Sequence, residues 1–290
     1  MKLFSVMKWS TLAGLLVATA ACAEPPADVV AGRAMCGKWN NAIVNVQVVV
    51  KMTMSYDGES SKREEKGDTV GTVIDPSGLT VVSLSSVSPD SMFDSMYGEE
   101  DGPQISTEIT DVKIRLSDGT EVPAKIVLRD KDLDLAFVRP STKPKEPWKF
   151  VDLKDSATAD VLDQVVTITR LGKVANRAIS VSLIRIQAVL EKPRKFYVVD
   201  MYGDTGSPVG TLDGKILGIA LLKMSAAASK SGSYRDSIMP VVLPAEDIAA
   251  VALQAPEDAP KEPEKPVAKE EPKAAPKAPA KAPAKPKTSK

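Results

Sequence analysis

Four valines at every second position, Val44, Val46, Val48 and Val50, put one apolar edge on an extended segment over Ala42–Met52. On a helix the same residues would scatter around the axis. Further short apolar runs follow, each closed by a turn. Thr69–Asp75 ends in Asp75-Pro76-Ser77-Gly78, and Val112–Leu116 ends in Ser117-Asp118-Gly119 before Glu121–Leu128 and Leu133–Val138. A second set comprises Val165–Thr169, Ile179–Leu190, Phe196–Met201, Ser207–Thr211 and Lys215–Leu222, with a tight turn at Leu212-Asp213-Gly214. Strands at this spacing predict an all-β sandwich or barrel, and two runs of about six predict two barrels. One helix is expected after Pro244. Glu246 and Asp247 fill its first turn, and Ile248, Val251 and Ala252 form its apolar stripe.

Neither end of the chain reads as part of this fold. Lys2 and Lys8 precede an apolar run over Thr11–Ala21, and Ala21-Cys22-Ala23 forms a small-residue cleavage site. Residues 1–23 therefore read as a secretory signal, too short for a comfortable membrane span. Processing at Cys22 instead would leave a lipid anchor, although Thr19-Ala20-Ala21-Cys22 makes a poor box for it. Residues 24–38 are expected to be a linker and 39–254 the folded domain. From 255 to 290 the chain is rich in Pro, Ala and Lys, can bury little, and is expected to be a disordered tail. Its basic end is either a solvated spacer or a weak contact for an anionic polymer or membrane.

Composition narrows the function classes. Lys+Arg and Asp+Glu are equal at 38 each, which argues against a nucleic-acid partner. Cys36 is the one cysteine beyond the signal, so no disulfide closes within the mature chain. No phosphate-binding glycine loop, Cys/His metal spacing or dinucleotide fingerprint occurs, and no cofactor is expected. Two loops stand out: Ser55–Asp68, highly charged and expected to interrupt a strand pair, and Ser88–Thr110, acidic, with Met92, Phe93, Met96 and Tyr97. The second is either a lid on its own barrel or a partner-binding spot.

Three segments resemble one family in the same order. Gly71-Thr72-Val73-Ile74-Asp75-Pro76-Ser77-Gly78 resembles the strand-turn signature of HtrA-type, trypsin-like serine proteases. Asp134-Leu135-Ala136 resembles the segment that carries their catalytic Asp. Gly203-Asp204-Thr205-Gly206-Ser207-Pro208 resembles their nucleophile loop, and Leu212–Ile219 the hairpin after it. The resemblance implies a trypsin-like double six-stranded β-barrel with a C-terminal helix. It also allows a homo-oligomer, trimers being common in the family. Counting forward from Gly78 puts the base position at Ser85, the Asp position at Asp134 and the nucleophile position at Thr205. Gly203, Asp204 and Thr205 form the turn that corresponds to the oxyanion hole.

The substitutions bear directly on the chemistry. A hydroxyl attacks only after a base takes its proton, and in the triad that base is an imidazole titrating near neutrality. The chain contains no histidine. A serine cannot replace the imidazole, and the β-branch of Thr205 crowds the line of attack. Loss of the base is expected to lower turnover by roughly 10⁴ to 10⁶. Lys223 is the nearest candidate in sequence for a substitute base, but it reads as a surface lysine. The expectation is thus an exported pseudoprotease, in the periplasm or outside the cell, whose cleft binds an extended peptide or envelope protein. The alternative is an active endopeptidase with a Thr nucleophile. Asp134 has a plainer role in either case, as an acceptor of hydrogen bonds at the barrel interface.

Overall fold

The computed structural model describes residues 24–56, 59–88, 104–201, 205–224 and 238–257. The expected signal, Cys22, the loop residues 89–103, Gly203 and Asp204, and positions 258–290 of the tail lie outside the described residues. The elements in chain order are α1 (Ala27–Trp39), β1 (Ile43–Tyr56), β2 (Glu59–Val73), β3 (Thr80–Ser83), α2 (Leu84–Val87), β4 (Gln104–Arg115), β5 (Glu121–Asp130) and β6 (Leu135–Pro140). There follow β7 (Gln164–Arg170), β8 (Ile179–Leu190), β9 (Phe196–Val199), β10 (Pro208–Thr211), β11 (Ile216–Met224), β12 (Ile238–Pro244) and α3 (Ala245–Ala252).

The strands close into two antiparallel six-stranded barrels, in the orders β1-β2-β3-β6-β5-β4 and β10-β11-β12-β9-β8-β7. The expected double barrel and C-terminal helix are therefore present. Val44, Val46, Val48 and Val50 are all buried, which is what a period-2 apolar edge achieves when a sheet curls around its own core. On α3, Ala245, Ile248 and Val251 form the buried stripe.

Two expectations are corrected. Residues 24–38 are not a linker, because Ala27–Trp39 is a helix. Its Met35 and Trp39 are buried, and Trp39 lies so close to Gly210 that a Cβ there would stand 2.6 Å from the ring. The helix thus packs against the second barrel at β7, β8 and β10. Nor does Ser55–Asp68 interrupt a strand pair. β1 and β2 pair without a break from Ile43↔Thr72 to Tyr56↔Glu59, forming a long hairpin whose charged positions suit exposed strand. The described part of the second loop, Gln104–Thr110, belongs to β4.

Polar ties cross between the barrels. Arg170 on β7 donates through Nε to Ile43 O at 2.6 Å and through Nη2 to Asn40 O at 3.0 Å. Arg177 Nη2 meets Asp68 Oδ2 at 2.6 Å. Both arginines satisfy acceptors of the first barrel from the second, so the facing surfaces are tied at their edge as well as packed.

Candidate active-site cleft

A single helical turn sets the first-barrel side of the site. In α2, Leu84 and Val87 are three residues apart and share a face, and both are buried. That anchoring turns Ser85 and Ser86 toward the cleft, each half-buried. The turn is fixed at its start by Leu84 N donating to Asp134 O at 2.9 Å. Asp134 itself adopts a left-handed backbone, φ 56°, just before β6 begins, a conformation that Asp tolerates better than most residues.

The Asp134 carboxylate is occupied by hydroxyls and backbone. Oδ1 accepts from Ser85 N at 2.7 Å, and Oδ2 accepts from Ser83 Oγ at 2.6 Å and Ser85 Oγ at 3.2 Å. Ser83 Oγ also lies 2.9 Å from Ser85 Oγ. Burial pushes the Asp134 carboxyl above its ordinary value, and the bonds from Ser83 and Ser85 pull it back only in part. In a working triad this carboxylate would orient and charge-stabilise an imidazole. Here its acceptor sites are filled by serines that carry no charge in either state.

Across the cleft, the turn that bears Thr205 is defined by its backbone. Gly206 has φ +85°, and a Cβ there would lie 2.1 Å from Val70 O. No other residue can take that place without displacing β2. Gly206 N donates to Ala220 O at 2.7 Å, Ala220 N donates to Ser207 O at 2.9 Å, and Thr72 Oγ1 donates to Gly206 O at 2.7 Å. Ser207, where the resembled loop has glycine, is wholly buried and donates through Oγ to Thr169 Oγ1 at 2.8 Å. The added hydroxyl is therefore paired rather than stranded.

Helix α2 meets the Thr205 side chain through Ser86, whose Oγ lies 3.2 Å from Thr205 Oγ1. Counting from Gly78 pointed to Ser85 as the residue at the base position. The structure places Ser85 against Asp134 and Ser86 against Thr205, so the side chain that faces the nucleophile position is that of Ser86. The residues that counting overlooked are Ser83, Ser86 and Thr72. The burial pattern of Leu84 and Val87 was the signal that would have separated Ser85 from Ser86. Gly203 and Asp204 lie outside the described residues, so the turn's leading half carries no geometry. Lys223 is exposed, and its Nζ sits 4.8 Å from the centroid of the Phe196 ring, held on the outer surface by a cation–π contact.

Chemically, then, the described cleft offers an acceptor carboxylate and a row of neutral hydroxyls. No group of three His, Cys, Asp or Glu among the described residues is placed to hold a metal ion. No described helix is long and apolar enough to cross a membrane.

A family comparison agrees with the architecture. Residues 69–219, just over half of the 290, match the model of the trypsin-like peptidase domain. No curated protein matches the chain. Among solved structures, the protease domain of MamO from Magnetospirillum magneticum in its apo form is similar at 17% identity and a TM-score of 0.47, over 73% of this chain and 96% of that one.

Proposed function

From the premise that the chain belongs to the trypsin-like peptidase domain family, we propose that it is an exported pseudoprotease, which holds an extended peptide or a partner protein in the inter-barrel cleft without cutting it. One observation carries the reading: Thr205 Oγ1 faces the hydroxyl of Ser86 in a chain of 290 residues that contains no histidine. Among the described residues, the group placed against the Thr205 hydroxyl is a Ser hydroxyl, which accepts no proton at neutral pH. The Asp134 carboxylate is engaged by Ser83 and Ser85. Residues 1–23 support export through their basic start, apolar run and small-residue cleavage site. Anchoring through Cys22 would place the same domain at a membrane surface.

Binding without turnover is what the fold retains when the base is removed. The cleft still lies between two barrels tied by Arg170 and Arg177. Incubation with a fluorescent unfolded-protein substrate tests both halves of the proposal. The expected result is saturable binding with the substrate mass unchanged, and weaker binding after a bulky Ser86→Trp substitution. Thr205-dependent fragments would overturn the reading.

A further inference from the structure

Arg139 is a buried cation whose charge the fold does not balance. It lies near the end of β6 with 9% of its surface exposed. Nη1 donates to Ser77 Oγ at 2.5 Å, while Nε is buried and has no acceptor. Among the described residues no carboxylate comes within ion-pair distance of the guanidinium. A guanidinium stays charged in proteins, and a buried charge without a partner is strongly unfavourable. A tightly packed core would be the worst place for it. Instead Arg139 opens on a cavity of about 290 Å³, lined also by Asp75, Ser77, Lys143 and Glu257.

The polar lining is divided unevenly. Asp75 Oδ1 already accepts from Ser77 N at 2.6 Å and from Ser77 Oγ at 2.5 Å, so that carboxylate is held by its own turn. Lys143 is exposed and stands beside Arg139 in the wall, with no carboxylate within ion-pair distance among the described residues. Glu257 is exposed and belongs to the wall too. We propose that this cavity is a carboxylate-binding site in which the Arg139 guanidinium and the Lys143 ammonium hold the anion. Asp75 and Glu257 in the same wall disfavour a multiply charged phosphate relative to a monoanion, and the planar guanidinium fork matches a carboxylate. The volume suits a small acid or the end of a peptide. From Asp134 to Arg139 is five strand residues, about 17 Å, so the site is separate from the Thr205 cleft.

Amide chemical-shift titration of the full chain at constant ionic strength tests the site. Sodium acetate, a tripeptide with a free C-terminal carboxylate and the same tripeptide amidated are the probes, and sodium chloride is the reference. Saturable shifts at Ser77, Gly78 and Lys143 in the millimolar range are expected with acetate and the free-acid peptide and not with chloride. A free-acid peptide that binds at least tenfold tighter than acetate identifies a chain end as the source, and equal binding identifies a free acid. Lys143→Met, at an exposed position, is expected to weaken binding about threefold or more, and Arg139→Gln to abolish it. Thr205→Ala is expected to leave it unchanged. Absence of saturation in the wild type, or equal binding by Lys143→Met and wild type, would overturn the proposal, as would equal response to the amidated peptide.

Discussion

The two sides of the cleft answer to different kinds of constraint. On the second-barrel side the turn around Thr205 is set largely by backbone: a left-handed Gly206 packed on Val70 O, amide–carbonyl bonds to Ala220, and a Gly206 carbonyl that accepts from the Thr72 hydroxyl. On the first-barrel side the site is set by side chains: Ser83 and Ser85 bond each other and Asp134, and Ser86 meets Thr205. The difference explains how a chain can match a peptidase family over residues 69–219 and still contain no histidine. Backbone-defined positions are demanded by the fold. Chemistry-defined positions are demanded only by the reaction.

Substitutions can break that contrast, beginning with the largest effect. Gly206→Ala adds a Cβ 2.1 Å from a backbone oxygen at φ +85°, and a loss of about 3–5 kcal/mol in chemical denaturation is expected. Gly214→Ala is the control, because its φ is +84° but nothing lies within 4 Å of the added Cβ. Only the backbone strain remains there, about 1–2 kcal/mol. Equal losses at the two positions would show that close packing on β2 is not what fixes the Thr205 turn.

A smaller effect is expected at Ser207. Ser207→Ala strands the buried Thr169 hydroxyl and should destabilise by about 1–3 kcal/mol, whereas Ser207→Ala with Thr169→Val should recover part of that loss. On the opposite side, Ser86→Ala removes only a half-buried hydroxyl contact and is expected to change stability by about 0.5 kcal/mol or less. A larger loss at Ser86 would place it among the residues the fold requires.

Asp134 sharpens the comparison through pH. Its carboxyl is raised above the ordinary value of 3.8 by burial. In the window opening upward from 3.8, the folded chain holds a proton that the unfolded chain has lost. Stability from this group is therefore fully present below 3.8 and declines as pH rises through the folded value. Asp134→Asn lacks the decline, and its amide oxygen can still accept from Ser85 N. Relative to wild type, the variant is expected to gain stability between pH 4 and pH 7.5 in urea unfolding. A relative loss over that range would mean that the charged carboxylate is favoured in the folded state.

Much of the fold was legible because barrel strands alternate. The valines of β1 and the turns at Asp75–Gly78 and Leu212–Gly214 mark strand and hairpin without help from tertiary contacts. Helix α1 was hidden for a physical reason. Val29, Val30, Ala31, Ala34 and Met35 ring its axis rather than forming one stripe, and its burial is decided by the second barrel, not by its own period. Strand β12 was missed because Pro240 and Pro244 disfavour strand, yet they pair at its register with Leu222 and Gly218. In the site, the motif residues pointed to Asp134 and Thr205, which the structure places in contact with Ser83 and Ser85 and with Ser86. The partner of Thr205 was not readable, because counting from Gly78 assumes a fixed number of residues before the helical turn. One residue of difference exchanges the direction of Ser85 with that of Ser86.

The most direct measurement of the central claim is hydrolysis of an unfolded protein substrate by wild type, by Ser86→His with Thr205→Ser, and by Ser85→His with Thr205→Ser. The account predicts no cleavage by wild type, measurable cleavage by the variant with histidine at 86, and none with histidine at 85. Cleavage by wild type that Thr205→Ala abolishes would contradict it, as would activity restored from position 85 and not from 86.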